Sequence, residues 1–332
     1  MNKHILSLLL ISAILLCTIR SYSQTNGKTP PKIGLALSGG GAKGLAYIGL
    51  LKKIDSLGIK VDYVTGTSMG GVLGGLYAMG YSGKQLEDIV NNISWDRVLT
   101  NKVPLSQVNI EEKDEYGNYM LELPIFNGKP ALPNSMIEGQ YLSEILNTYA
   151  YPSRNITDFS KLYIPLQITT SDIINGGLVM QKLGSLPLVI RATMAIPAVF
   201  STVYIDGKVL VDGGLDRNFP VDEIKNMGAD YVIGGYTGFH ILKEKEIKGP
   251  LNIIMQTYAF NGVKDSKQQM EKTDLLIDYT DILTGYSSAD FQRYKEILRR
   301  GEIEANKYLP QLIKLAEQQR ANGISVTPRN IQ

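Results

Sequence analysis

Two short apolar runs, Ile33–Leu37 and Val61–Thr65, each end in a glycine-rich turn, and each turn opens a helix. Apolar runs of this length bounded by glycine read as buried strands. Between them, Lys43–Ser56 places Leu45, Ile48, Leu51 and Ile54 at spacings near three, so it reads as a helix. Gly58 stands where a left-handed cap would stop it. Ser68–Met79 is a second helix despite Gly70, Gly71, Gly74 and Gly75. Glycine this dense weakens a free helix and makes sense where the helix lies very close to a sheet. Strand, turn and helix, twice in succession, select a parallel sheet with crossover helices. The expected fold is α/β: three layers, α/β/α, around a mostly parallel central sheet.

The rest of the chain extends that pattern. Gln85–Trp95 reads as a helix, and 103–133 as irregular with strand pairing near Tyr119–Leu123. Met136–Ala150 reads as an amphipathic helix, and residues 81–160 form either a lid over a site or an insertion at the sheet edge. Leu162–Thr170 and Leu178–Lys182 read as strands and Leu186–Ala195 as a helix. Val199–Ile205 and Lys208–Val211 form a hairpin turning at Asp206-Gly207. Tyr231–Gly235 and Leu275–Tyr279 are further strands on either side of a helix at Leu251–Gln269. A long charged helix over Ala289–Arg320 closes the chain. With no internal repeat, 33–332 is expected to be a single catalytic domain with a helical C-terminal tail.

The N-terminus carries a different signal. Lys3 precedes an apolar run from Ile5 to Cys17, and Ser21-Tyr22-Ser23 offers a small-x-small cleavage site. Residues 1–23 are expected to be a signal peptide cleaved near Ser23, with 24–32 a linker, so the protein is expected to be exported (periplasmic, outer-membrane-associated or secreted). An uncleaved anchor and a lipid on Cys17 are the alternatives. Cys17 is the only cysteine, so the mature chain would hold neither a disulfide nor a cysteine metal site. The net charge of +2 gives no electrostatic case for a nucleic-acid partner.

Gly66-Thr67-Ser68-Met69-Gly70 has the G-x-S-x-G form and lies between an expected strand and an expected helix, the context that makes its serine a nucleophile. Ser68 also begins a helix, where exposed N–H groups favour negative charge. Gly39-Gly40-Gly41-Ala42-Lys43-Gly44 fits G-x-G-x-x-G as well, so a nucleotide-binding, Rossmann-like module without catalysis is an alternative. That fingerprint wants an acid at the end of the second strand, and Asp62 precedes it. The preferred reading is an oxyanion hole, with donors from Gly39, Gly40 and Gly41 and a further one from Met69. Lys43 reads first as a solvated surface residue, with contact to an anionic head group as the alternative. Asp212-Gly213-Gly214 follows a hairpin strand. Alone it is as good a turn as a site. Beyond the N-terminal segment, however, the chain has one histidine, His240, so the base for Ser68 is expected to be a carboxylate, with His240 as the alternative.

Taken together, the glycine turn, the Ser68 motif and the distant Asp212-Gly213-Gly214 resemble the patatin-like phospholipase family. Arg191–Pro197 and Asn218–Val221 are similar to further family segments. The resemblance runs from about Ile33 to Asn226. It implies a Ser68–Asp212 dyad acting on lipid or phospholipid acyl esters, with no metal and no cofactor. It also implies transient contact with a membrane surface. Lys43 departs from it, because the family more often has arginine there. A generic soluble esterase or thioesterase is the remaining alternative, and oligomeric state is unknown from the sequence.

Overall fold

The computed structural model describes residues 30–100 and 137–324 except 239, 240 and 248, with 106, 108–111, 113–114, 125–126, 128–130, 135 and 326 as short pieces. The expected signal peptide with Cys17, most of the linker, the expected pairing at Tyr119–Leu123 and His240 lie outside the described residues. Described strands, in chain order, are β1 (Ile33–Leu37), β2 (Tyr63–Gly66), the short pair β3 (Ile125–Phe126) and β4 (Lys129–Pro130), β5 (Leu166–Asp172), β6 (Leu178–Gln181), β7 (Val203–Ile205), β8 (Lys208–Asp212), β9 (Tyr231–Tyr236) and β10 (Leu275–Asp278). The helices are α1 (Tyr47–Leu57), α2 (Met69–Met79), α3 (Gly83–Asn92), α4 (Trp95–Thr100), α5 (Gln140–Ala150), α6 (Leu186–Thr193), α7 (Val221–Asn226), α8 (Pro250–Glu271), α9 (Tyr294–Lys307) and α10 (Leu309–Ala321).

β10, β9, β1, β2 and β5 are neighbours in that order, and every pair among them is parallel. Alternation along the strands builds the layers. Ile33, Leu35 and Leu37 of β1 and Ile233 of β9 join the large core under α1, α2 and α9. Ala36, Val232 and Tyr236 point the other way, into a smaller core with Phe219, Val221 and Ile224 around α7. Both faces are therefore buried, as a parallel sheet requires, and the expected α/β/α layering is the observed one.

Local chemistry sets several boundaries. Gly58 caps α1 at φ 66, as expected. The hairpin turns at Asp206 (φ 50) and Gly207 (φ 75), two left-handed residues that match the twist of the flanking strands. The expected single helix over Ala289–Arg320 is instead two. It breaks at Tyr308, because Pro310 starts a new helix and has no N–H with which to continue the old one.

The edge pairing of β5 positions the site. Ile168 of β5 pairs with Gly66 of β2 and also with Gln181 of β6, so β2 and β6 lie on opposite edges of β5. Thr170 and Ser171 pair with β6 and also with Asp212 and Val211 of β8, so β8 too lies opposite β6. β2 and β8 therefore share one edge. β2 runs parallel to β5 and β8 antiparallel, so they approach head-on and their carboxyl ends meet at Thr169. The ends at Gly66 and Asp212 face β5 residues two apart, roughly 7 Å along the strand.

Candidate active site

Beyond Gly66 the chain turns sharply through Thr67 and Ser68 into α2. Ser68 caps that helix at φ 52, ψ −125, a conformation rare for a residue with a side chain. Glycine on either side of it has a packing cause. A Cβ on Gly70 would lie 2.6 Å from the Ser38 carbonyl oxygen, and one on Gly66 would lie 2.6 Å from the Gly70 carbonyl carbon. Three bonds hold the strained turn. The Ser68 N–H donates to Thr193 Oγ1 at 2.8 Å. The Thr67 N–H donates to the Leu37 carbonyl at 3.1 Å, and its hydroxyl to the Arg217 carbonyl at 3.0 Å.

The glycine turn after β1 lies alongside. A Cβ on Gly39 would come within 3.1 Å of Ser68 Cβ. Most of the turn's amides are occupied. Ser38 donates to the Gly235 carbonyl (3.0 Å), Gly39 to Asn218 (3.2 Å), Ala42 to Ser288 (2.8 Å) and Lys43 to Gly40 (3.2 Å). The Gly39 N–H, expected among the oxyanion donors, is tied here to the Asn218 carbonyl. Among the described residues no acceptor takes the N–H of Gly40 or Gly41. Met69 stands at the first position of α2, where helix amides lack internal partners, and Gly44 packs against it with a would-be Cβ 2.8 Å from Met69 Cβ.

Lys43 is not the solvated surface residue expected. It is 4% exposed, and its ammonium turns inward to donate to the Thr237 (3.1 Å) and Gly238 (2.7 Å) carbonyls. A short 3-10 turn over Gly41–Ala46 carries Lys43 and precedes α1.

Asp212 ends β8 and is 1% exposed. Its N–H donates to the Ala195 carbonyl at 3.0 Å, and its carboxylate accepts from the Gly214 N–H at 2.8 Å. Gly213 packs its bare Cα against the Thr169 side chain, whose hydroxyl donates to Thr67 Oγ1 at 2.7 Å. One short segment thus tethers both candidates: Thr193 holds the amide of Ser68, and Ala195 holds the amide of Asp212. Sequence reasoning gave no role to Thr193, Asn218 or Thr237, because each acts through contacts remote in the chain.

The strap from Asp216 to Pro220 crosses both turns and is anchored outside by ions. Arg217 pairs with Asp222 (3.1 Å), Glu223 (3.4 Å) and Asp265 (3.3 Å). Burial raises the Asp222 carboxyl, but bonds from Gln269, Lys272 and Arg217 outweigh it and bring it to about 2.

Beside the elbow lies a small, partly enclosed cavity of about 40 Å³ whose apolar lining includes Met69, Leu73, Trp95, Leu142, Leu146 and Met194. Met69 and Met194, which line it, directly follow Ser68 and Thr193 in sequence. Among the described residues no group of three or more His, Cys, Asp or Glu is arranged to hold a metal ion. No helix among them is long and apolar enough to cross a membrane.

Residues 35–225 match the family model described as patatin-like phospholipase. Lysophospholipase NTE1 of Meyerozyma guilliermondii is 23% identical over 83% of this chain and 19% of its own length. Patatin-like phospholipase domain-containing protein 6 of Mus musculus is 30% identical over 60% of this chain and 13% of its own. This chain therefore spans a fifth or less of either relative. Among solved structures, the heterodimeric ExoU–SpcU complex from the type III secretion system of Pseudomonas aeruginosa matches 86% of this chain and 53% of that one, at 15% identity and TM-score 0.44.

Proposed function

The chain belongs to the patatin-like phospholipase family, and on that footing we propose that it hydrolyses lipid acyl esters with Ser68 as nucleophile and Asp212 as base. The meeting of β2 and β8 on one edge of β5 supports the proposal, because the strand end that leads into Ser68 and the strand end at Asp212 face β5 residues two apart. Ser68 Oγ attacks the ester carbonyl while Asp212 takes its proton. The tetrahedral oxyanion accepts hydrogen bonds from Gly40, Gly41 and Met69. The leaving alcohol departs with the proton from Asp212. Water, deprotonated by Asp212, then attacks the acyl-serine, and Ser68 regains its proton.

The apolar lining next to Met69 would meet hydrocarbon without desolvating polar groups, which favours lipid over small polar esters. A substrate drawn from a lipid phase entails transient contact with that surface. The nucleotide-binding alternative loses support here, because the Gly39 amide and the Lys43 ammonium are both tied to carbonyls within the chain. Export is proposed on the basic, apolar and small-residue order of the N-terminus alone, and a mature N-terminus near Gln24 by mass spectrometry is its check.

A fluorophosphonate probe is expected to label Ser68 and to leave Ser68→Ala unlabelled. Asp212→Asn is expected to lower kcat on a lysophospholipid by about 10³-fold or more with an unchanged melting temperature. Turnover that survives Ser68→Ala would overturn the assignment.

A further inference from the structure

A buried ammonium lies directly behind the glycine turn. Lys43 Nζ donates to the Thr237 and Gly238 carbonyls at 3.1 and 2.7 Å, just past the end of β9. Thr237 reaches back to the glycines. Its hydroxyl lies 3.3 Å from the Gly39 carbonyl, and its N–H donates to Ser38 Oγ at 3.3 Å. The same hydroxyl fills the space over Gly40 where a Cβ would stand. The Tyr47 hydroxyl lies 3.2 Å from Thr237 Oγ1 and 3.0 Å from the Ser38 carbonyl. The Lys43 N–H meanwhile donates to the Gly40 carbonyl at 3.2 Å. These bonds join the ammonium through Thr237 to Ser38 and Gly39, directly before Gly40 and Gly41, while the Lys43 N–H holds the Gly40 carbonyl from the other side.

We propose that Lys43 is a positioning residue for the hydrolysis: its protonated amine anchors Thr237 and Gly238, and through them holds Gly40 and Gly41 with their N–H groups presented to the substrate, so catalysis weakens when that amine is neutral. This rests on the hydrolase reading above. Charge-assisted bonds are roughly twice as strong as neutral ones, so loss of one proton slackens both anchors together. Burial brings the Lys43 amine down from its ordinary 10.5 to about 8, opposed by the charge of Asp278 at the end of β10. Among the described residues Asp278 is the acid whose charge reaches it, and its carboxylate accepts from the Thr280 N–H and hydroxyl at 2.9 and 2.5 Å. The phenols of Tyr47 on α1 and of Tyr279 after β10 are fully buried, and burial raises both well above the usual value, so they stay neutral over this range.

The sign separates this role from a merely structural one. Between about 8 and 10.5 the unfolded chain holds a proton at Lys43 that the folded chain has released. The contribution of this site to stability therefore rises with pH over that window. Activity should fall where the fold does not weaken.

The experiment follows kcat of the full-length protein on a p-nitrophenyl ester from pH 6 to pH 10, beside thermal melts at the same pH values. Wild type is expected to lose about tenfold in kcat with a midpoint near pH 8, at nearly constant KM, because oxyanion donors act in the transition state. Lys43→Arg keeps its charge throughout and is expected to hold a flat profile to pH 10. Lys43→Met is expected to show the low plateau at every pH. In parallel, the amide resonances of Gly40 and Gly41 are expected to titrate with the same midpoint in wild type and to stay still in Lys43→Arg. A wild-type kcat flat to pH 10, or an alkaline limb retained in Lys43→Arg, overturns the proposal, as do glycine amides that ignore pH. Should the ester not turn over at any pH, the hydrolase reading fails, and the resonances alone then decide the role of Lys43.

Discussion

The two glycine turns sit on adjacent parallel strands and look alike in sequence, yet they differ in what crowds them. At the Ser68 turn the backbone is strained and sealed by backbone. Ser68 adopts φ 52, and Gly70 lies so close to the Leu37 and Ser38 carbonyls that no Cβ fits. At the Gly39–Gly44 turn, main-chain carbonyls and buried side chains share the holding. The Thr237 hydroxyl stands over Gly40, Asn218 holds Gly39, and a buried ammonium anchors the far side. On the proposed mechanism the first turn presents a side chain and needs rigidity at one residue, while the second presents amides and needs partners for those it does not present.

That contrast can be broken most severely at Gly70. Gly70→Ala drives a Cβ into main-chain oxygens that cannot move aside, and it is expected to cost about 3 kcal/mol of stability, read by chemical denaturation. A loss under about 1 kcal/mol would show that the turn has slack. Gly40→Ala meets a hydroxyl that can rotate, so the fold should survive while kcat falls about 100-fold through a misplaced donor. Equal effects of these two alanines on stability would erase the distinction. Thr193→Val removes the acceptor for the Ser68 amide and is expected to cost about 2 kcal/mol, with kcat lowered in step. Smallest, and of opposite sign, Ser68→Gly should relieve the strained φ and raise stability by about 1 kcal/mol in the inactive protein. A drop instead would mean that the serine hydroxyl stabilises the turn more than its conformation strains it.

How much of this could be read from sequence divides along the same line. The strand–turn–helix order, the cap at Gly58 and the Asp206-Gly207 hairpin turn are local, each decided by a few adjacent residues. The parallel sheet followed from their repetition. Contacts across the chain were not legible. Nothing near Lys43 announces that it is buried, because its partners at Thr237 and Gly238 follow a strand and lie 194 and 195 residues away in sequence. Gly39 looked as free as Gly40 for the same reason, since its carbonyl partner, Asn218, is equally remote. The importance of Thr193, one residue in a short helix, depends on the amide it meets. The helix break at Tyr308 was open to sequence reasoning through Pro310, and the charged periodicity on either side masked it.

The head-on junction of β2 and β8 also bears on how the site comes into being. Its two halves are contributed by strands far apart in sequence, and neither half is complete until the second has docked against β5. Pairings between such distant segments form late and slowly. A chain emerging during synthesis would therefore display the strained serine turn long before the carboxylate reached it. Esterase activity would then report the finished fold rather than any partly assembled stage.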